Sequence, residues 1–136
     1  MKQYLYLLLG IILFGCSSSK NDQKESGPRR IEILFLGHNS QHHNSAEFMP
    51  MLAGALSKDG INFTYTDQLS DLNVETLGRY DGLMIYANHD EIEPSQEEAL
   101  LKFVEEGNGF IPVHCASYCF RNSDAYVNLV GAQFKS

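Results

Sequence analysis

Apolar residues run along this chain in two alternating rhythms. Ile31 to Leu36 (IEILFL) is a short, nearly continuous apolar run ending at Gly37, the pattern of a strand buried on both faces. Phe48, Met49, Leu52, Ala55 and Leu56 then follow the i, i+1, i+4, i+7, i+8 spacing of a helical stripe, which Asp59-Gly60 stops. Pro50 requires that helix to begin only shortly before it, because a proline further inside removes a backbone donor. Ile61 to Thr66 (INFTYT) alternates, with β-branched and aromatic residues, and predicts a second strand. Leu69 to Tyr80 is a connector with a short helical turn at Val74 to Gly78, and Gly82 to Tyr86 (GLMIY) predicts a third strand. Ser95 and Glu98 form a capping box for a helix carrying Leu100, Leu101, Phe103 and Val104, with Gly107 as its stop. Gly109 to Val113 (GFIPV) is a fourth strand, which Pro112 assigns to an edge or a strand end. A last helix runs from about Ser123 to Val130. Strand and helix in alternation predict a parallel sheet with helices on its faces, and such sheets bind ligands outside the carboxyl ends of their strands.

The N-terminus has neither rhythm. Lys2 supplies a positive start, and Leu5 to Phe14 is an apolar run broken only by Gly10, shorter than the ~20 residues of a membrane-spanning helix. It reads as an export signal. Its end, Leu13-Phe14-Gly15-Cys16, resembles the lipobox of bacterial lipoproteins, with Phe14 bulkier than the usual residue there. That resemblance implies lipidation of Cys16, which would become the mature N-terminus. Residues 17–29 are polar, include a Gly-Pro pair and offer nothing to a core, so they predict a flexible tether. The expected location is the bacterial cell envelope, with the domain on a membrane through its lipid and not in it.

With 136 residues, the chain has room for one globular domain. Its formal charge of −7 argues against nucleic acid as a partner, because binding to phosphate backbones requires clustered Lys and Arg to displace counterions. No phosphate-cradling glycine motif accompanies Gly37 or Gly82, so no nucleotide is implied.

The candidate chemistry lies at the strand ends. His38, His42 and His43 follow the first strand, His89 the third, and His114 with Cys115 the fourth, so all five histidines fall at one end of one sheet. Imidazoles there could transfer protons, hydrogen-bond sugar hydroxyls, or ligate a divalent ion such as zinc; His38, His89 and His114 are the candidate ligands. His114 and His89 are the candidate catalytic groups, and His38 and His42 are candidate binding groups. His43 is the histidine most expected simply to face solvent. Asp90, beside His89, could bind ligand or orient the ring, whereas Glu91 and Glu93 read as solvated charges before a helix. Cys115 stands where a strand-to-helix turn can present a nucleophile, but the flanking glycines are absent and no histidine follows it; the alternative is a buried structural thiol. Cys119, four residues on, is either core or a disulfide partner for Cys115.

Several segments together resemble the ThuA-like (trehalose utilisation) family, whose fold is that of class I glutamine amidotransferases. They are ILFLGHNSQHHNS, ETLGRYDGLMIYAN, SQEEALLKFVEEGNGF, and IPVHCAS followed by YVNLVGAQF. The resemblance implies a flavodoxin-like three-layer α/β sandwich over residues 30–136, linked to the use of a carbohydrate, whether trehalose, another disaccharide or a keto-sugar. It also sets Cys115 at the place of the amidotransferase nucleophile. Family members continue past VGAQF, so residues 30–136 are expected to be the N-terminal part of a domain truncated at its C-terminus, with a sheet edge that invites homo-oligomers. Two functions fit: proton-transfer or metal-assisted chemistry on a sugar, or a non-catalytic sugar-binding or scaffold module on the envelope.

Overall fold

A computed structural model describes residues 28–38, 40 and 42–135. The export signal, Cys16 and the tether as far as Gly27 lie outside the described residues. The elements follow the order β1 (Ile31–Gly37), α1 (Ser45–Leu56), β2 (Ile61–Thr66), α2 (Val74–Leu77), β3 (Gly82–Tyr86), α3 (Pro94–Glu105), β4 (Gly109–Pro112) and α4 (Asp124–Val130), with a 3-10 turn at His114–Tyr118 between β4 and α4. All strand pairings are parallel, in the order β2-β1-β3-β4. The expected α/β sandwich is thus present.

Alternation along the central strands divides the core between two faces. On one face Leu34, Leu36, Leu83 and Ile85 pack with Leu77 of α2, Leu100 and Phe103 of α3, and Tyr126 of α4. On the other, Ile33, Phe35 and Met84 are covered by Met49 and Leu52 of α1. β1 therefore carries apolar side chains in both directions, and its sequence reads as an unbroken run for that reason. The N-terminal end of the sheet is tied by Arg29, which pairs with Asp81, and by Asp81 Oδ2, which accepts the Glu32 N–H at 3.0 Å.

Two local expectations change. Pro50 is the sixth residue of α1, not near its start. The carbonyl it leaves unbonded belongs to Ala46, which is exposed and can be hydrated. The capping box of α3 uses Glu93 and Gln96 in place of Ser95 and Glu98, because Pro94 occupies the first helical position and shifts the start upstream. Pro112 stands at the end of an edge strand, as its chemistry requires. Among the described residues no helix is long and apolar enough to cross a membrane.

Candidate functional site

The carboxyl ends of β1, β3 and β4 meet at one side of the sheet, and register explains how. Gly37, the last residue of β1, pairs with Tyr86, the last of β3, while Ile85 pairs with Pro112, the last of β4. The loops leaving these strands start side by side, so residues 38, 40, 42–44, 87–90 and 113–118 surround a common space.

Buried Ser45, at the start of α1, anchors the first loop. Its Oγ accepts the His38 N–H at 2.7 Å and donates to the His38 carbonyl at 3.1 Å. With its only proton used, that oxygen stands as acceptor toward the Tyr65 hydroxyl 3.3 Å away. The backbone at His38 is thereby held from both its amide and its carbonyl.

The histidines meet in pairs. His38 and His89 have ring centroids 4.5 Å apart, and His43 and His114 meet edge-to-face at 4.9 Å. Tyr86 lies beside the second pair, 6.2 Å from His43 and 6.1 Å from His114. His38 Nδ1–H donates to the Asn88 side-chain oxygen, and His89 Nε2–H donates to the Gly37 carbonyl at 3.3 Å. An oxygen that only accepts selects the tautomer, so neutral His38 has Nε2 unprotonated and neutral His89 has Nδ1 unprotonated. His89 also stacks almost parallel to buried Phe120, at 6.3 Å and 10°.

These surroundings favour neutral imidazoles. Burial holds His89 below the usual 6.5, with the neighbouring His38 adding to the effect. His43 is lowered by burial first and then by repulsion from His114, His42 and His38. Groups lowered in this way act as proton acceptors near neutral pH.

The expected trio of His38, His89 and His114 is divided between the two pairs. Among the described residues, no three His, Cys, Asp or Glu side chains form a group able to hold a metal ion. One ring nitrogen of His38 and one of His89 are engaged by protein oxygens, and His114 faces His43. His43, expected to face solvent, is half-buried and is the partner of His114, whereas His42 is exposed. Asp90 pairs with Arg121 instead of an imidazole.

Cys115 and Cys119 are both buried and both free. Burial raises the Cys115 thiol and pushes that of Cys119 up to about 12, so neither supplies thiolate near neutral pH. The strained residue of the turn after β4 is not Cys115. The residue in the left-handed region is His114, at φ 48°, one position earlier. This conformation is strained for a residue with a Cβ, and here it falls on a side chain that faces the cluster.

A cavity of about 370 Å³ opens against the His43–His114 pair, lined also by Asn88, Cys115, Ser117, Tyr118 and Phe134. Its size is in the range that holds a small organic ligand. Asn88, Tyr118 and Phe134 were not singled out from the sequence. Asn88 could have been found, because it follows β3 at the same end as the histidines. Tyr118 and Phe134 reach the cavity only through the fold: the Phe134 N–H donates to the Ser117 carbonyl at 2.9 Å and brings distant chain back to the turn.

Comparison with known proteins agrees with this architecture. The family described as ThuA, trehalose utilisation, matches residues 32–136. Among solved structures, a ThuA-like protein from Bacteroides uniformis has a similar fold, with a TM-score of 0.62 and 18% identity over 78% of this chain. The match covers 45% of that protein, so the chain spans less than half the length of this structural relative. No curated protein matches the chain.

Proposed function

Because the chain belongs to the ThuA family, associated with trehalose utilisation, we propose that its histidine cavity binds a carbohydrate and moves a proton next to a sugar carbonyl. The observation that carries this reading is the edge-to-face His43–His114 pair on the wall of a ligand-sized cavity. Proton abstraction beside a carbonyl needs a neutral base within reach of a C–H bond and a donor for the developing oxyanion. His43, held neutral by burial and by its neighbours, supplies the base. His114, set by the strained turn, is the donor. Asn88 links this pair to the one behind it, since it lines the cavity and accepts from His38. Cys115 has no chemical role.

The test is exchange of carbon-bound hydrogen with deuterated solvent, using keto-sugars as probes. Exchange should be lost in His114→Ala and kept in Cys115→Ser, with the acid limb of the pH profile below 6.5, since the base is lowered from that value. Exchange that survives His114→Ala, or fails in Cys115→Ser, would sink the reading.

The same proposal sets the protein in the bacterial envelope, anchored by a lipid on Cys16, and rests there on the lipobox-like LFGC sequence. Metabolic labelling with a fatty acid should mark the wild-type protein and not Cys16→Ser. Label retained in that variant would end the anchoring claim.

A further inference from the structure

Of the paired imidazoles, His43 and His114 line the cavity and His38 and His89 do not. His38 nevertheless reaches the cavity through Asn88, whose side chain is part of the wall. A carboxamide has two ends of opposite character, an oxygen that accepts and a nitrogen that donates. In Asn88 the oxygen is taken by His38 Nδ1–H. Among the described residues the Asn88 nitrogen has no protein acceptor, and it is not buried, because Ser40 Oγ is the one buried side-chain polar atom there without a partner. It is therefore open to whatever occupies the cavity.

Both ends of the His38–Asn88 bond are held by their surroundings. Ser45 fixes His38 at its amide and carbonyl, and Asn88 stands between fully buried Ala87 and His89, whose ring bonds the Gly37 carbonyl. Nδ1–H is present in this neutral tautomer and in the imidazolium alike, so the amide keeps its direction in either charge state of His38. A flipped amide would turn its oxygen to the cavity, and flipping requires neutral His38 to carry its proton on Nε2 instead.

Removing a proton from the carbon beside a carbonyl leaves the C–H electron pair in a new C=C bond and moves the carbonyl π pair onto oxygen. Charge collects on that oxygen, and a donor already aimed at it is worth about 10²–10³ in rate. We propose that Asn88 is a catalytic residue whose amide nitrogen donates to this oxygen alongside His114, and that His38 is the positioning residue that turns the nitrogen into the cavity. This inference rests on the proton-transfer reading and adds to it a second oxyanion donor.

Hydrogen exchange on fructose and nitrogen-15 NMR of the full chain test it. Asn88→Ala should lower kcat for exchange about a hundredfold. KM should change by less than about threefold, since the donor acts on charge that appears only in the transition state. Asn88→Asp, which still accepts from His38 but offers an anion to the cavity, should lose at least as much. His38→Ala should fall in the same way, and His38→Asn, which places an amide N–H near the position of Nδ1, should recover most of the loss. In wild-type protein with the ring neutral, His38 Nδ1 should show the chemical shift of a protonated nitrogen. A wild-type His38 protonated on Nε2 would overturn this inference and leave proton transfer by His43 standing, as would exchange unchanged in both Asn88 variants or His38→Asn no better than His38→Ala. Absence of exchange in wild-type protein would overturn the proton-transfer reading and this inference together.

Discussion

Phe120→Ala should lower the stability of the domain by about 3–5 kcal/mol, the cost of removing a large aromatic side chain from a packed interior. Phe120 is fully buried. Its ring meets Tyr126 edge-to-face at 5.0 Å and lies parallel to His89 at 6.3 Å, joining the core under α4 to the histidine cluster. Single domains have only about 5–15 kcal/mol in total, so the loss is a large fraction of what holds the fold. Alanine is the informative replacement because Phe120 has φ 49°. Alanine keeps the Cβ and hence the backbone strain, so the change isolates the ring. A second effect follows: water entering the vacated space weakens the burial that lowers His89, and its titration should move back toward 6.5. Urea unfolding and histidine NMR titration measure the two effects. A loss under about 1 kcal/mol would show that the ring is not part of the core.

Replacing Gly37 by alanine should damage stability and site together. A methyl group on Gly37 would overlap the Tyr65 ring and the Ser45 hydroxyl. Forced overpacking of this kind costs about 1–3 kcal/mol. The hydroxyl it displaces is the group that holds His38 at its amide and carbonyl. His38 should therefore lose its placement against Asn88, which lines the cavity, and hydrogen exchange on the keto-sugar should fall with it. Gly54, within α1, is the matched control: nothing lies within 4 Å of an added Cβ, and Gly54→Ala should gain up to about 1 kcal/mol through helix propensity. Chemical denaturation of both variants makes the comparison. Equal effects at the two positions would mean that the packing around Gly37 is loose.

Much of the architecture is legible in local patterns. The unbroken IEILFL run is β1, and the alternating INFTYT is β2. Gly107, at φ 92°, follows the end of α3, and Ser123 caps α4 by accepting the Tyr126 N–H at 2.9 Å. Each signal involves residues within a turn or two of one another, where hydrogen bonding and side-chain period act directly. The same locality explains the two changes noted above. Pro50 inside α1 depends on whether the freed Ala46 carbonyl meets water, and the start of α3 is set by Pro94 at its first helical position.

By itself the sequence determined that the chain alternates strand and helix, and that its five histidines leave the strands at one end of the resulting sheet. Only the tertiary structure decided which imidazoles meet. His38 joined His89 and His43 joined His114, because strand register and the turns around Ser45 and His114 set ring positions that no spacing along the chain encodes. Tertiary structure also brought Phe134 back to Tyr118 and buried the Cys115 thiol. The physical reason is the same in each case. Secondary structure follows from neighbours in sequence, whereas a cavity is made of groups that become neighbours only after the sheet has packed.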